Sequence, residues 1–193
     1  MSKIYEKNSK SFVYHPAPKC GCSTMKEVIL RANGIDGRWK PAQEFPHRFI
    51  PCVKFNEVKA DVKMCVVRDP IERFISGYSN RVLFHKDIKP IEFNKFVDNF
   101  EYFYKKVPIF RHHFTPQTWF VGKDPKYYTN IFFVNEMSDA IDFVSDFFEV
   151  EPVYVRNQTG GSNLKPIPNE KQKEFIRDFY KEDYRFLRKM EQP

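Results

Sequence analysis

Two apolar runs in this chain each end directly at a helix start, and that pairing limits the fold more than any other feature. The first run, Ser11–His15, leads into Pro18-Lys19-Cys20-Gly21-Cys22-Ser23-Thr24-Met25-Lys26. The second, Val62–Val67, leads into Arg68-Asp69-Pro70-Ile71-Glu72-Arg73-Phe74-Ile75-Ser76-Gly77-Tyr78. Each reads as a strand–loop–helix junction with a cation and a hydroxyl beside a helix N-terminus, which suits an anion. Two such junctions imply a ligand that is anionic at two separate places, as a doubly phosphorylated nucleotide is.

The rest of the pattern alternates in the same way. Met25, Val28 and Ile29 form the stripe of a helix from about Thr24 to Ala32 that stops at Asn33-Gly34. Asp69 as cap, Pro70 at the first helical position and Glu72 three residues after the cap predict a capped helix, with Ile71, Phe74, Ile75, Tyr78 and Val82 on one face. Phe93, Phe96, Val97, Phe100 and Tyr104 predict one further helix, read as core. Asn130–Asn135 predicts a third strand, followed by a helix from about Ser138 to Phe148. Val153–Val155 reads as a short strand, Asn157–Pro168 as a loop, and Asn169–Lys189 as one amphipathic helix. Strands alternating with helices predict an α/β fold, a short parallel sheet flanked by helices, in a single domain over 1–193.

Bulk properties narrow the class. With 193 residues, 41% of them hydrophobic, the chain suffices for one packed domain. Lys and Arg number 32 against 25 Asp and Glu, and the resulting +7 favours anionic partners. The cations are dispersed among aromatics rather than massed in a tail, so nucleic acid is not the expected partner. No stretch reaches the roughly 20 apolar residues of a membrane span, and Met1–Ser11 is too polar for a signal peptide, so the expected location is the cytoplasm. Of the four cysteines, Cys20 and Cys22 are too close for an easy disulfide, and paired C-x-x-C spacing is missing. Free thiols are expected, with Cys65 in the core and no metal site.

The first junction is chemically specific. Gly21 lets backbone approach a ligand, Ser23 and Thr24 add hydroxyls beside free amides, and Lys19 stands near the bond to be broken. It is not G-x-x-x-x-G-K-[ST], because the lysine precedes the glycine. In the second junction Arg68 can fork onto a phosphate while Ser76 donates from the following helix.

These segments resemble a family. K-C-G-C-S-T-M-K is similar to the 5′-phosphosulfate loop of sulfotransferases that use 3′-phosphoadenosine 5′-phosphosulfate (PAPS), and V-V-R-D-P-I-E-R-F-I-S-G-Y is similar to their 3′-phosphate motif. The nearest likeness is to the carbohydrate branch, of chondroitin, dermatan and heparan 2-O-sulfotransferase type. Fainter echoes lie at His113–Gln117, Asn157–Pro166 and Tyr180–Leu187.

The resemblance implies a P-loop-like sulfotransferase fold and sulfuryl transfer from PAPS to a hydroxyl, leaving adenosine 3′,5′-bisphosphate. Lys19, Cys20, Gly21, Cys22, Ser23 and Thr24 would hold the 5′-phosphosulfate, and Arg68 and Ser76 the 3′-phosphate. The loop carrying Asn157 and Lys165 would close near the nucleotide. The acceptor would be a carbohydrate or glycolipid. His47, between the two junctions, is the expected base, with His112, His113 and Glu44 in reserve. Of the aromatics that stack on sugars, Trp119 is expected to pack instead. Two other readings remain: a P-loop nucleotide kinase, and a basic module that binds nucleic acid or sulfated glycan without turnover.

Overall fold

The two junctions stand side by side because their strands are neighbours in one sheet. A computed structural model describes residues 4–35, 58–154 and 165–191. His47 and Asn157, like Glu44 and Cys52, lie outside the described residues. Strand β1 (Tyr5–Lys7) and β2 (Lys10–His15) form a hairpin, Tyr5 opposite Phe12 and Lys7 opposite Lys10. Asn8 and Ser9 turn it, both at positive φ, as a two-residue hairpin turn of matching twist requires. β3 (Val62–Val67) lies parallel to β2, and β4 (Asn130–Phe133) parallel to β3, giving the order β1-β2-β3-β4. The expected parallel sheet is present and gains an antiparallel edge strand that the sequence reading missed.

Helices cover both faces, which is why the strands are apolar at consecutive positions. Phe12, Tyr14, Met64 and Val66 pack under α1 (Cys22–Ala32) and a later helix, Met137–Phe148. Cys65 and Val67 face the other way, into a cluster with Ala17, Cys20, Val121, Tyr128 and Phe186.

Between β3 and β4 the chain builds a second core from helices alone. Helix α2 (Pro70–Tyr78) continues as a π-helical stretch over Ser79–Phe84. It is followed by α3 (Phe93–Asp98), α4 (Phe100–Lys106), α5 (Pro108–Phe114) and the single turn α6 (Thr118–Val121). The helix Met137–Phe148 is then α7, and α8 (Glu170–Phe179) and α9 (Lys181–Met190) close the chain. Phe74, fully buried, meets the rings of Phe93, Phe96, Phe100, Phe114 and Tyr180. The aromatic stripe is core, as expected.

Three expectations about elements change. The helix expected over Phe93–Tyr104 is two, broken at Asn99, whose ψ of 14° ends the first. The expected closing helix is also two, broken at Tyr180, whose ring is buried and whose hydroxyl donates to the Phe114 carbonyl at 2.7 Å. A tertiary anchor there overrides a continuous apolar stripe. No strand forms over 151–154, the described part of the segment read as one. Among the described residues, no helix is long and apolar enough to cross a membrane.

Candidate active site

The first junction depends on backbone that only some residues tolerate. After β2 the chain passes Pro16–Pro18, Lys19 adopts φ 68° and Gly21 adopts φ 70°. A side chain at Gly21 would be strained by that φ, and its Cβ would lie 2.2 Å from Met137 Cε. The Gly21 carbonyl accepts from Met25 N at 3.1 Å, so α1 begins at Cys22, and no side chain caps it. The first-turn amides of Cys22, Ser23 and Thr24 therefore lie at the loop end of α1, where the helix dipole favours an anion. Lys19 is half-buried. Burial brings its ammonium pKa down to about 8; Cys22 opposes the shift, while Arg68, Arg81 and Arg73 add to it.

The second junction begins as local chemistry predicts. Asp69 accepts from Glu72 N at 3.0 Å and Pro70 opens α2. The expected capping box is altered: Glu72 directs its carboxylate to Arg68 Nε, at 3.3 Å. Arg68, its side chain 15% exposed, also donates from Nη1 to the Lys19 carbonyl at 3.4 Å. The two junctions thus touch. Ser76 lies half-buried on α2.

Arg73, which sequence reasoning left without a role, is fully buried. Its Nε donates to the Pro18 carbonyl at 2.9 Å, and its Nη2 donates to the carbonyls of Thr115 at 2.7 Å and His113 at 3.4 Å. The guanidinium lies 5.6 Å from the Tyr180 ring, and its Nη1 has no hydrogen-bond partner. Arg73 therefore holds the first loop onto α2 and α5. Its sequence signal was its place in the V-V-R-D-P-I-E-R-F-I-S-G-Y segment, as the second arginine.

Two of the faint echoes in the sequence, at His113–Gln117 and Tyr180–Leu187, meet beside these groups. Gln117, buried just before α6, donates from Nε2 to the Arg68 carbonyl at 2.8 Å. Its Oε1 accepts from Arg68 N at 3.1 Å and from the Cys20 thiol at 3.3 Å. Buried Asp183 of α9 accepts from Gln117 N at 2.9 Å, Thr118 N at 2.9 Å and Thr118 Oγ1 at 2.7 Å. Burial raises its carboxyl pKa, and Thr118 and Arg73 work against that.

His113 stands in the same neighbourhood. Its Nδ1 is buried with no hydrogen-bond partner. Burial, then Arg81, His112, Lys19 and Arg73, lower its pKa to about 2, so the imidazole is neutral. His112 is lowered too, by burial and then by Lys26, Arg73 and Arg81. Arg81, on the π-helical stretch, is held by a two-pronged ion pair with Asp87. His15 is buried at the end of β2, its ring against Tyr127 and Tyr128, which suits a structural role.

Cys20 and Cys65 are free thiols, and burial pushes Cys20 up to about 12. Lys165 is exposed, and no hydrogen bond or ion pair among the described residues brings it to either junction. Trp119, expected to pack, is instead 78% exposed on α6, where its single turn leaves the indole outside both cores.

The geometry fits a ligand with two anionic groups: an uncapped helix start with a lysine beside it, and an arginine rooted one strand away. A family model described as the sulfotransferase family matches residues 3–189. The chain belongs to the sulfotransferase family. Comparison with characterised proteins and with solved structures gives no significant match. As a sulfotransferase the protein is a transferase whose general chemistry is transfer of a sulfuryl group to a hydroxyl acceptor. The family generally takes that group from PAPS.

Proposed function

We propose that this single-domain sulfotransferase moves a sulfuryl group from PAPS to a hydroxyl of a carbohydrate, free or as the headgroup of a glycolipid. The observation that carries the reading is the meeting of the two junctions, with Arg68 Nη1 at 3.4 Å from the Lys19 carbonyl in a chain of this family. One ligand with phosphate at one end and phosphosulfate at the other can then engage both.

When bound, PAPS supplies an activated sulfuryl group on a good leaving phosphate. Lys19 and the amides of Cys22, Ser23 and Thr24 would hold the 5′-phosphosulfate, with Cys20 and Gly21 shaping the loop, and would stabilise the charge left on the phosphate as its bond to sulfur breaks. Arg68 and Ser76 would hold the 3′-phosphate, while Asn157 and Lys165 are assigned to the nucleotide side by resemblance alone. The forming bond joins the acceptor oxygen to sulfur, and a histidine takes the hydroxyl proton. His47 is the base the resemblance implies. The His112-His113 pair is the second candidate, and it is the weaker one, because burial and the neighbouring cations lower both imidazoles and so reduce their basicity. The carbohydrate acceptor is supported by the motif likeness and by the exposed indole of Trp119, a surface on which a sugar can stack.

The test is transfer of label from PAPS to a panel of oligosaccharide, glycolipid and phenol acceptors. Carbohydrate should be labelled, and His47→Ala or His113→Ala, whichever removes the base, should slow turnover by about 10²–10⁴ while PAPS still binds. Stabilisation by ATP and not by PAPS in thermal shift would move the protein to the kinase reading. Salt-sensitive binding of polyanions with no PAPS binding would make it a binding module.

A further inference from the structure

Beyond β3, the peptide of Arg68 has no strand partner. β4 ends at Phe133, opposite Val67, so both the N–H and the C=O of Arg68 need other partners. The Gln117 carboxamide supplies both, donating to the carbonyl at 2.8 Å and accepting from the amide at 3.1 Å, as one more rung of the sheet. The same Oε1 takes the Cys20 thiol at 3.3 Å, so one side chain touches both junctions. Gln117 is itself fixed by Asp183, whose carboxylate accepts its amide and two donors of Thr118.

By contrast, among the described residues the side chain of Arg68 has only long contacts, at 3.3 Å to exposed Glu72 and 3.4 Å to the Lys19 carbonyl. Gln117 thus fixes the point from which that side chain starts, and the two long contacts orient its guanidinium. We infer that Gln117, seated on Asp183, is a positioning residue that fixes Arg68 against the Lys19 loop and thereby sets the preference for a nucleotide bearing a 3′-phosphate. The inference rests on the donor-site reading above.

Two substitutions separate positioning from simple stability. Gln117→Met fills nearly the same volume without either hydrogen bond. Gln117→Glu reproduces both bonds only while its carboxyl is neutral, because a carboxylate cannot donate to the Arg68 carbonyl. The groups facing that position are Arg68, the Asp183 carboxylate on α9, the Cys20 thiol of the first loop and, through Asp183, Arg73 on α2.

The probes are adenosine 3′,5′-bisphosphate and adenosine 5′-monophosphate, and the readout is the dissociation constant of the monophosphate divided by that of the bisphosphate. Gln117→Met should reduce that ratio about tenfold, the scale of one hydrogen bond to a charged group. Gln117→Glu should match the unmodified protein at about pH 5.5 and fall below it at about pH 8.5, the unmodified protein measured at each pH cancelling ionisation of the phosphate. Loss of thermal stability with the ratio retained, or a Gln117→Glu ratio that follows the unmodified protein at both pH values, would overturn the inference and leave Gln117 a purely structural residue. If Gln117→Met does not fold, the Gln117→Glu comparison decides alone. Failure of the unmodified protein to prefer the bisphosphate would instead overturn the donor-site reading, and the inference with it.

Discussion

Nucleotide affinity should weaken above about pH 8, because Lys19 loses its proton there. Burial and three arginines bring its pKa down to about 8, against an ordinary lysine at 10.5. At that pKa the free amine is about half charged at pH 8 and about one-tenth charged at pH 9. A phosphate or phosphosulfate bound beside Lys19 favours the ammonium, so the bound state keeps a proton that the free state has lost. Affinity is then level below about pH 8 and falls by about tenfold per pH unit above it, until the pKa of the bound state is reached. Between about pH 7 and pH 9 the loss is about tenfold, or ~1.4 kcal/mol.

Calorimetric titration with adenosine 3′,5′-bisphosphate reads this directly. A phosphate monoester, with its second pKa of about 6, is fully ionised across that range, so the ligand's own charge stays constant. Lys19→Arg keeps the charge at every pH tested and should abolish the decline. Cys22→Ser should retain it, which removes the neighbouring thiol as its source. Constant affinity from about pH 7 to pH 9 in the unmodified protein, or a decline that survives Lys19→Arg, would refute the assignment of Lys19 to the anion.

Other outcomes follow from the same geometry. Arg68→Ala should weaken adenosine 3′,5′-bisphosphate by about 1.5–3 kcal/mol and a nucleotide without the 3′-phosphate by less; equal losses in the two titrations would show that Arg68 does not read that phosphate. Gly77→Ala brings a methyl within 2.7 Å of Phe114 Cε1, a ring buried among Phe74, Phe96, Phe100 and Phe110, and should cost about 1–3 kcal/mol in urea unfolding despite the better helix former. An unchanged midpoint would mean that Phe114 moves aside. Asp69→Ala removes the cap on Glu72 N and should cost about 1 kcal/mol by the same measurement, with no loss expected if water replaces the carboxylate.

Much of the framework of the candidate site was legible because its pattern is local. The strand bounds Val62–Val67 follow from one apolar run, and Asp69 with Pro70 starts α2 within a few residues of the strand end. Gly21 and the small residues after it mark the loop whatever else surrounds them. The antiparallel edge strand was missed because Tyr5–Lys7 is three residues long and carries too little periodicity to register. The helix breaks at Asn99 and Tyr180 were missed because the apolar stripes run through both.

The sequence by itself therefore determined the strand–loop–helix units, the residue types at each junction and, through them, the family. It carried the cap, the turn and the period, each written within a handful of neighbouring residues. Only the tertiary structure decided which units meet. It sent Arg73 inward to three backbone carbonyls, left Trp119 outside, and set Gln117 between Arg68 and Asp183. Those partners lie 49 and 66 residues away along the chain. No local pattern encodes such a contact: a buried peptide left unpaired at a strand end accepts whichever polar group the packing of the remaining helices brings to it.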